Sequence, residues 1–361
     1  MAMTRAIVIG AGIAGLTTAV ALSRTGVHCE IVERRTCPAG GGGLQLSPDA
    51  TSVLQRLGLG TVLRDATRPR TRELRRWQDN SVIARTGLGS PDAPYCTMRR
   101  TTLVRALLAA VPGSVHFGRR CAGVIDHAGG VVARLDDGTA LTGDIVVGAD
   151  GLHSSVAAQL GTVPIRYSGH SVYRAVIPAG RAGRLAPSGV VVWLGPGQHC
   201  VAYPIDDGGS INLVFTVPAA VPPSAVREVE TADVLRAYDN WHPAVRGLIA
   251  LADRFDHHGL FDRAPLPAWH RGRVVLVGDA AHPMLPFVAQ GAAQAIEDAA
   301  VLAGNPHDFA RFEAERRPRV EPIAAAARDG AVEYHLPDGP AQRERDRRLA
   351  AGTRLASGAL R

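Results

Sequence analysis

The chain has 361 residues, 46% hydrophobic and 20% charged, with a formal charge of +7; this excludes a disordered or fibrous protein and suits two domains, or one large domain carrying an insertion. All 40 basic residues are Arg, and without Lys there is neither a Schiff-base lysine nor a Walker-A phosphate loop. The Arg clusters at 68–76, 311–319 and 343–348 are interleaved with acids, the pattern of solvated faces rather than of a nucleic-acid surface, although the overall field favours anionic ligands.

Residues 5–9 form a short apolar run of strand type that meets Gly10-Ala11-Gly12-Ile13-Ala14-Gly15. Residues 16–24 then read as a helix ended by Gly26, and residues 29–32 as a second strand ending at Glu33. This is a βαβ unit with G-x-G-x-x-G at its first turn and an acid after its second strand, the dinucleotide fingerprint. Gly10 permits the tight turn, Gly12 a close approach of backbone to pyrophosphate, and Gly15 close packing of helix on strand. The helix N-terminus offers N–H groups to phosphate, and Glu33 accepts from ribose hydroxyls. The apolar stretch 6–22 is interrupted by Gly and Thr and has no processing site, so neither a secretory leader nor a membrane span is expected. Cys29, Cys37, Cys96, Cys121 and Cys200 are widely spaced, without a C-x-x-C pair. No disulfide framework and no metal site is expected, and a reducing, cytoplasmic setting fits.

Residues 102–110 read as a helix after Arg99-Arg100, and residues 131–135 and 141–147 as a hairpin around Asp136-Asp137-Gly138. The second arm ends in Gly148-Ala149-Asp150-Gly151. Residues 171–177, 189–194, 199–205 and 210–217 alternate like the strands of an antiparallel meander. Residues 231–251 read as helical with a break at Pro243, and a strand at 273–277 leads into Gly278-Asp279-Ala280-Ala281-His282-Pro283. After Pro286 and Gln290-Gly291 come an Ala-rich helix to about residue 303, an Arg-rich helix at 308–330, and a polar tail after His335, helical or mobile.

Three motifs, the fingerprint with Glu33, residues 148–151 and residues 278–283, occur in an order and at separations that resemble the single-component FAD-dependent aromatic hydroxylases related to p-hydroxybenzoate hydroxylase. The salicylate, 3-hydroxybenzoate and 6-hydroxynicotinate hydroxylases are the most similar, through Trp193-Leu194-Gly195-Pro196-Gly197, His199, Tyr203-Pro204 and Ala289-Gln290-Gly291-Ala292. The likeness spans roughly residues 5–319. It implies an α/β fold: a Rossmann-like FAD-binding domain (residues 1–70, 98–165 and 265–330), an inserted antiparallel-sheet substrate domain (71–97 and 166–264) and C-terminal helices, with a tail at 331–361. It also implies FAD as cofactor, NADH or NADPH as transient co-substrate, O2, and hydroxylation of a small anionic aromatic, phenolic or hydroxy-heteroaromatic, through a flavin C4a-hydroperoxide. The expected protein is a monomer or homodimer without nucleic-acid or membrane partners. The absence of Lys argues against the related flavin-dependent halogenases.

The resemblance assigns residues. Asp279 accepts from a ribityl hydroxyl, or is a helix cap. Asp150 serves cofactor and nicotinamide, or is a turn residue. Arg100 reaches the pyrophosphate or ribityl chain, or lies on the surface. The helix opening at Gly291 and Ala292 aims its N–H groups at the flavin N1 and C2 carbonyl, where reduced flavin is anionic. Pro286 shapes the wall near the reactive carbon and Gln45 faces the isoalloxazine. Ala14, Arg34, Val124 and Gly278 complete the cofactor contacts. His199 and Tyr203, four apart on one strand, share a face. In the relatives the matching pair touches substrate, so His199 is a candidate base for a phenol, or a polar strand-start residue, and Tyr203 orients the substrate. Arg174 pairs with a carboxylate, closes over the flavin, or is a surface Arg. Two departures stand out: Ser155-Val156-Ala157 lacks the family's Arg, and Ala293 replaces a frequent Asn. Three other readings remain: FAD-dependent epoxidation, Baeyer–Villiger or dearomatising oxidation; a flavin-binding protein without turnover; and a plain nicotinamide dehydrogenase, which leaves residues 278–283 unexplained.

Overall fold

The computed structural model describes residues 3–38 and 40–352. Strand Arg5–Ile9 is buried from Ala6 onward because it lies inside a parallel sheet covered on both faces. The six strands run in the order His270–Arg271, Val274–Leu276, Ile145–Gly148, Arg5–Ile9, His28–Glu33, Val115–Phe117. Only the first pair is antiparallel. Helix Ile13–Ser23 packs against helix Gly291–Gly304. Two glycines make the first turn possible. Gly10 has φ +111°, and a Cβ there would sit 2.4 Å from the Ala149 carbonyl oxygen. A Cβ at Gly15 would sit 1.8 Å from the Gly10 carbonyl oxygen.

Residues 141–147, read as one hairpin arm, divide at Asp144. Strand Ala140–Gly143 pairs antiparallel with Gly130–Leu135, whereas Ile145–Gly148 joins the parallel sheet. Asp144 makes the division, since its carboxylate and its N–H bind the backbone N–H and carbonyl of Arg5, each at 2.8 Å.

The second large sheet has eight strands in the order Arg227–Glu230, Arg254–Arg263, Ile165–Pro178, Ser210–Pro218, Gln198–Ile205, Val190–Gly195, Thr71–Arg76, Val82–Gly87. It is not a sequential meander. Ile165–Pro178 lies between Ser210–Pro218 and Arg254–Arg263, and Val190–Gly195 instead pairs parallel with Thr71–Arg76. One face, carrying Trp193, Cys200, Leu213 and Phe215, is buried under helices Thr231–Ala237 and Pro243–Ala250. The helical reading of 231–251 therefore breaks before Pro243, as its fixed φ and missing N–H require. The opposite face looks towards the parallel sheet. Between the sheets, Gly43–Leu46 pairs with Cys96–Arg99; the Gly43 N–H donates to Asn212 Oδ1 (2.5 Å) and Thr97 Oγ1 to the Pro204 carbonyl (2.6 Å).

The C-terminal helices Phe309–Glu333 and Pro340–Ala350 return to the eight-stranded sheet. Arg76 pairs with Asp346 at 3.0 Å, and the Gly197 N–H donates to the His335 carbonyl at 3.0 Å. Residues 331–352 of the expected tail are thus packed, and residues 353–361 lie outside the described residues. No helix among the described residues is long and apolar enough to cross a membrane.

Candidate active site

A cavity of about 550 Å³ lies between the carboxyl ends of the parallel strands and the open face of the eight-stranded sheet. Ile9, Glu33, Ala149 and Asp279, all at or just beyond strand ends, open into it, the usual position for a ligand crevice in an open α/β sheet. The Glu33 carboxylate is fixed by the N–H groups of Ala11 (2.9 Å) and Arg35 (2.8 Å).

The loop carrying Asp279 is clamped from behind. Asp298, fully buried on helix Gly291–Gly304, accepts from the Gly278 N–H (2.9 Å), His282 Nε2 (2.6 Å) and Arg316 Nε (2.7 Å). Burial alone would raise this carboxyl, but His282 and Arg316 hold it down at about 2. Arg316 also binds Glu297 at 3.1 Å. Asp279 differs. It is exposed to the cavity, and no hydrogen bond among the described residues engages its carboxylate. Burial raises its pKa against the pull of His282, Arg100 and Arg263.

The residues present fit FAD on three observations. The helices opening at Ile13 and Gly291 begin at the cavity without side-chain caps, so their free N–H groups suit a pyrophosphate and an anionic flavin edge. A Cβ at Gly12 would meet nothing within 4 Å, leaving its backbone approachable. The unpaired Asp279 carboxylate suits a polyol hydroxyl. Arg100 lines the same space, and burial lowers its pKa, with Asp279 opposing.

The opposite wall comes from the sheet's register. Arg174, Val214, Val201 and Val192 are cross-strand partners in one row across four strands, all lining the cavity. The adjacent row pairs Val172, Thr216 and His199. His199, Val201 and Tyr203 share the cavity face, as period two requires. Arg174 Nε is buried without a hydrogen-bond partner; burial lowers its pKa, and Tyr203, Arg100 and Asp256 are the ionisable groups acting on it. Burial likewise raises the Tyr203 phenol, which stays neutral. Tyr95, held by Arg72 (3.1 Å), donates to Gln45 Oε1 (2.6 Å) and so fixes that side chain at the cavity wall.

His199 is 3% exposed and stacks on His335, ring centroids 5.0 Å apart, with Nδ1 of His199 2.8 Å from Nε2 of His335. Its Nε2 lies 3.5 Å from Thr216 Oγ1. Burial, then His335 and His170, hold the His199 pKa well below the ordinary histidine value. Phe287 and Tyr334 meet its ring edge-on.

Of the residues singled out in the sequence, Gly10, Gly12, Ala14, Glu33, Arg34, Gln45, Arg100, Asp150, Asp279, Pro286, Gly291, Ala292, Arg174, His199 and Tyr203 all line the cavity. Gly15, Gly278 and Val124 do not. Gly15 serves packing, and a Cβ at Gly278 would come 2.8 Å from the Ala14 methyl. The Val124 N–H is taken by Gln159 (3.2 Å). Asp150 both faces the cavity and organises its own turn, accepting from the Ser155 N–H (2.7 Å) and from the hydroxyls of Ser154 (2.5 Å) and Ser155 (3.0 Å). Sequence reasoning missed Arg263, which is buried between the two acids and donates to the Ala280 carbonyl at 2.6 Å. It also missed Tyr95, Tyr334 and His335. Only the unusual His-bearing tail start hinted at the last.

Known proteins resemble this chain over nearly its whole length. A family model described as FAD binding domain matches residues 3–305. The 3-amino-4-hydroxybenzoate 2-monooxygenase PtmB3 of Streptomyces platensis is 41% identical over 371 aligned positions, covering 97% of this chain and 93% of that protein. The 6-hydroxynicotinate 3-monooxygenase of Pseudomonas fluorescens is 33% identical, with 90% of each chain covered. The crystal structure of Klebsiella pneumoniae HpxO complexed with FAD and uric acid superposes with a TM-score of 0.85 at 28% identity, covering 96% of this chain and 93% of that one.

Proposed function

Because the chain belongs to the FAD-dependent aromatic monooxygenases, we infer that its substrate is a small aromatic carboxylate bearing a ring hydroxyl, an aminohydroxybenzoate or a hydroxypyridine carboxylate. FAD, once bound, supplies hydride acceptance from NAD(P)H and the activation of O2. The chain supplies the rest. The observation that carries the reading is Arg174, half-buried at the end of a row of valines, with a covered Nε that has no hydrogen-bond partner among the described residues. A covered donor without a partner is costly, and a substrate carboxylate relieves that cost with charge-assisted hydrogen bonds.

Val192, Val201 and Val214 then flank the ring and exclude water. Tyr203, a neutral phenol, orients the ring substituents. His199, uncharged in its buried setting, accepts the ring-hydroxyl proton at Nε2, which makes the ring electron-rich. A reducing, cytoplasmic setting fits the five free cysteines.

The test is NADH and NADPH oxidation by the FAD-loaded protein with 3-amino-4-hydroxybenzoate, 6-hydroxynicotinate and 3-hydroxybenzoate, with products and peroxide quantified together. Stimulated oxidation with a hydroxylated product supports the reading. Stimulation only by aromatics lacking a carboxylate contradicts it.

A further inference from the structure

The mechanism above uses His199 and leaves the ring behind it unexplained. His335 follows helix Phe309–Glu333, and its backbone is anchored by the Val332 carbonyl (3.2 Å) and the Gly197 N–H (3.0 Å). It is 8% exposed, and its Nε2 meets His199 Nδ1 at 2.8 Å. Between two neutral rings such a contact needs one N–H and one lone pair. With the N–H on His199 Nδ1, the lone pair of His199 Nε2 is left beside Thr216, on the cavity side. The remaining nitrogen, His335 Nδ1, is buried, the Ala331 carbonyl acts on the same ring, and the half-buried His170 ring lies 4.5 Å from the His335 ring between centroids.

We propose that His335 is the second ring of a two-histidine proton relay, an inference that rests on the ring-hydroxyl reading of the site. The substrate O–H bond breaks and its proton goes to His199 Nε2. The His199 Nδ1 proton passes to His335 Nε2, and the His335 Nδ1 proton is handed on at the half-buried His170 ring, which returns one to solvent. Each ring ends neutral with its tautomer exchanged, and the substrate is left as the phenolate. A relay answers a difficulty that one base would face here, since burial and the ionisable groups facing the pair disfavour a cation on it, against the pull of the Ala331 carbonyl at His335. These groups are His170 on strand Ile165–Pro178, Tyr334 beside His335, and Arg345 on helix Pro340–Ala350; Tyr238 reaches only the His199 carbonyl. His335 is accordingly a positioning and relay residue, not one that touches substrate.

The experiment uses the oxidised, FAD-loaded protein without NAD(P)H, mixed with 3-amino-4-hydroxybenzoate in weak buffer containing a pH indicator. Binding is followed by the flavin absorbance and proton release by the dye. Wild type should release one proton on binding. His335→Gln keeps a hydrogen-bond partner for His199 but cannot pass a proton on; it should bind with unchanged affinity and release the proton about 10²-fold more slowly. Its kcat should fall while KM holds, and both deficits should vanish at a pH where the free ligand hydroxyl is already ionised. Release at the wild-type rate overturns the relay. If His335→Gln does not fold or take up FAD, wild-type release in mixtures of light and heavy water decides: more than one proton in flight gives a bowed dependence, and a linear one overturns the relay. Wild-type hydroxylation with an unaltered variant removes the relay alone. A wild type that binds no aromatic hydroxycarboxylate removes the functional reading, and the relay with it.

Discussion

The two sides of the cavity treat charge in opposite ways. Behind the Asp279 loop, Asp298, Glu297, Arg316 and His282 meet one another at hydrogen-bond distance. Facing the cavity, the exposed Asp279 carboxylate and the half-buried Arg174, whose Nε is covered, have no such partners among the described residues. Paired charges fix a scaffold, because breaking one member leaves the others stranded in low dielectric. Unpaired ones facing a cavity stay free to take a partner from outside the chain. The cluster is therefore the frame of the Asp279 loop, and Asp279 and Arg174 are the cavity-facing charges.

The contrast is broken most severely at Asp298. Asp298→Asn removes the carboxylate shared by His282 and Arg316, leaving Arg316 with Glu297 and Gln294, and should cost about 3 kcal/mol of stability in urea denaturation. The same carboxyl sets an acid limit. Its folded pKa of about 2 lies below the ordinary 3.8, so its contribution, roughly 2 kcal/mol, is complete above pH ~4 and is lost as the pH falls through ~2. The variant should lack that phase of acid unfolding; an identical acid transition would show that the cluster is not the frame. Asp279→Ala should do the reverse, leaving the apoprotein folded while FAD is lost, and stoichiometric FAD in the purified variant would contradict the assignment.

Arg174→Met sharpens the comparison further. Losing charge-assisted bonds worth about 1.5–3 kcal/mol should raise KM for a carboxylate substrate about 10–100-fold. Flavin content should hold, and Tm should stay level or rise, because a covered donor without a partner is gone. A fall in Tm would place Arg174 with the scaffold instead. The smallest effect is expected far from both regions. Arg254→Ala removes exposed pairs with Glu228 and Glu230 and should change stability by less than about 0.5 kcal/mol.

The two sides also differ in how far the sequence reveals them. The flavin side is written locally: Gly10, Gly15 and Glu33 lie within one βαβ unit, and Asp279 within one loop, so spacing alone places them at strand ends. The substrate wall is assembled by register. Arg174, Val214, Val201 and Val192 become neighbours only through pairing between strands that are not in sequence order. The pattern identified His199 and Tyr203 as sharing a face, but not what stands behind them. His335 lies 136 residues from His199, on a turn after a polar helix whose burial no local periodicity announces. Asp298 reads as an ordinary helical acid until Arg316, 18 residues on, folds back to meet it. The division at Asp144 was hidden for a similar reason, since its partner Arg5 starts the chain's first strand.

The measurement that bears most directly on the account is NAD(P)H oxidation by the FAD-loaded wild type and Arg174→Met proteins, run with 3-amino-4-hydroxybenzoate and with the same ring lacking its carboxylate. The account predicts that wild type converts the carboxylate to a hydroxylated product coupled to NAD(P)H, and that the variant loses this preference while keeping its flavin. Equal use of both ligands by wild type, or an unchanged preference in the variant, would contradict it.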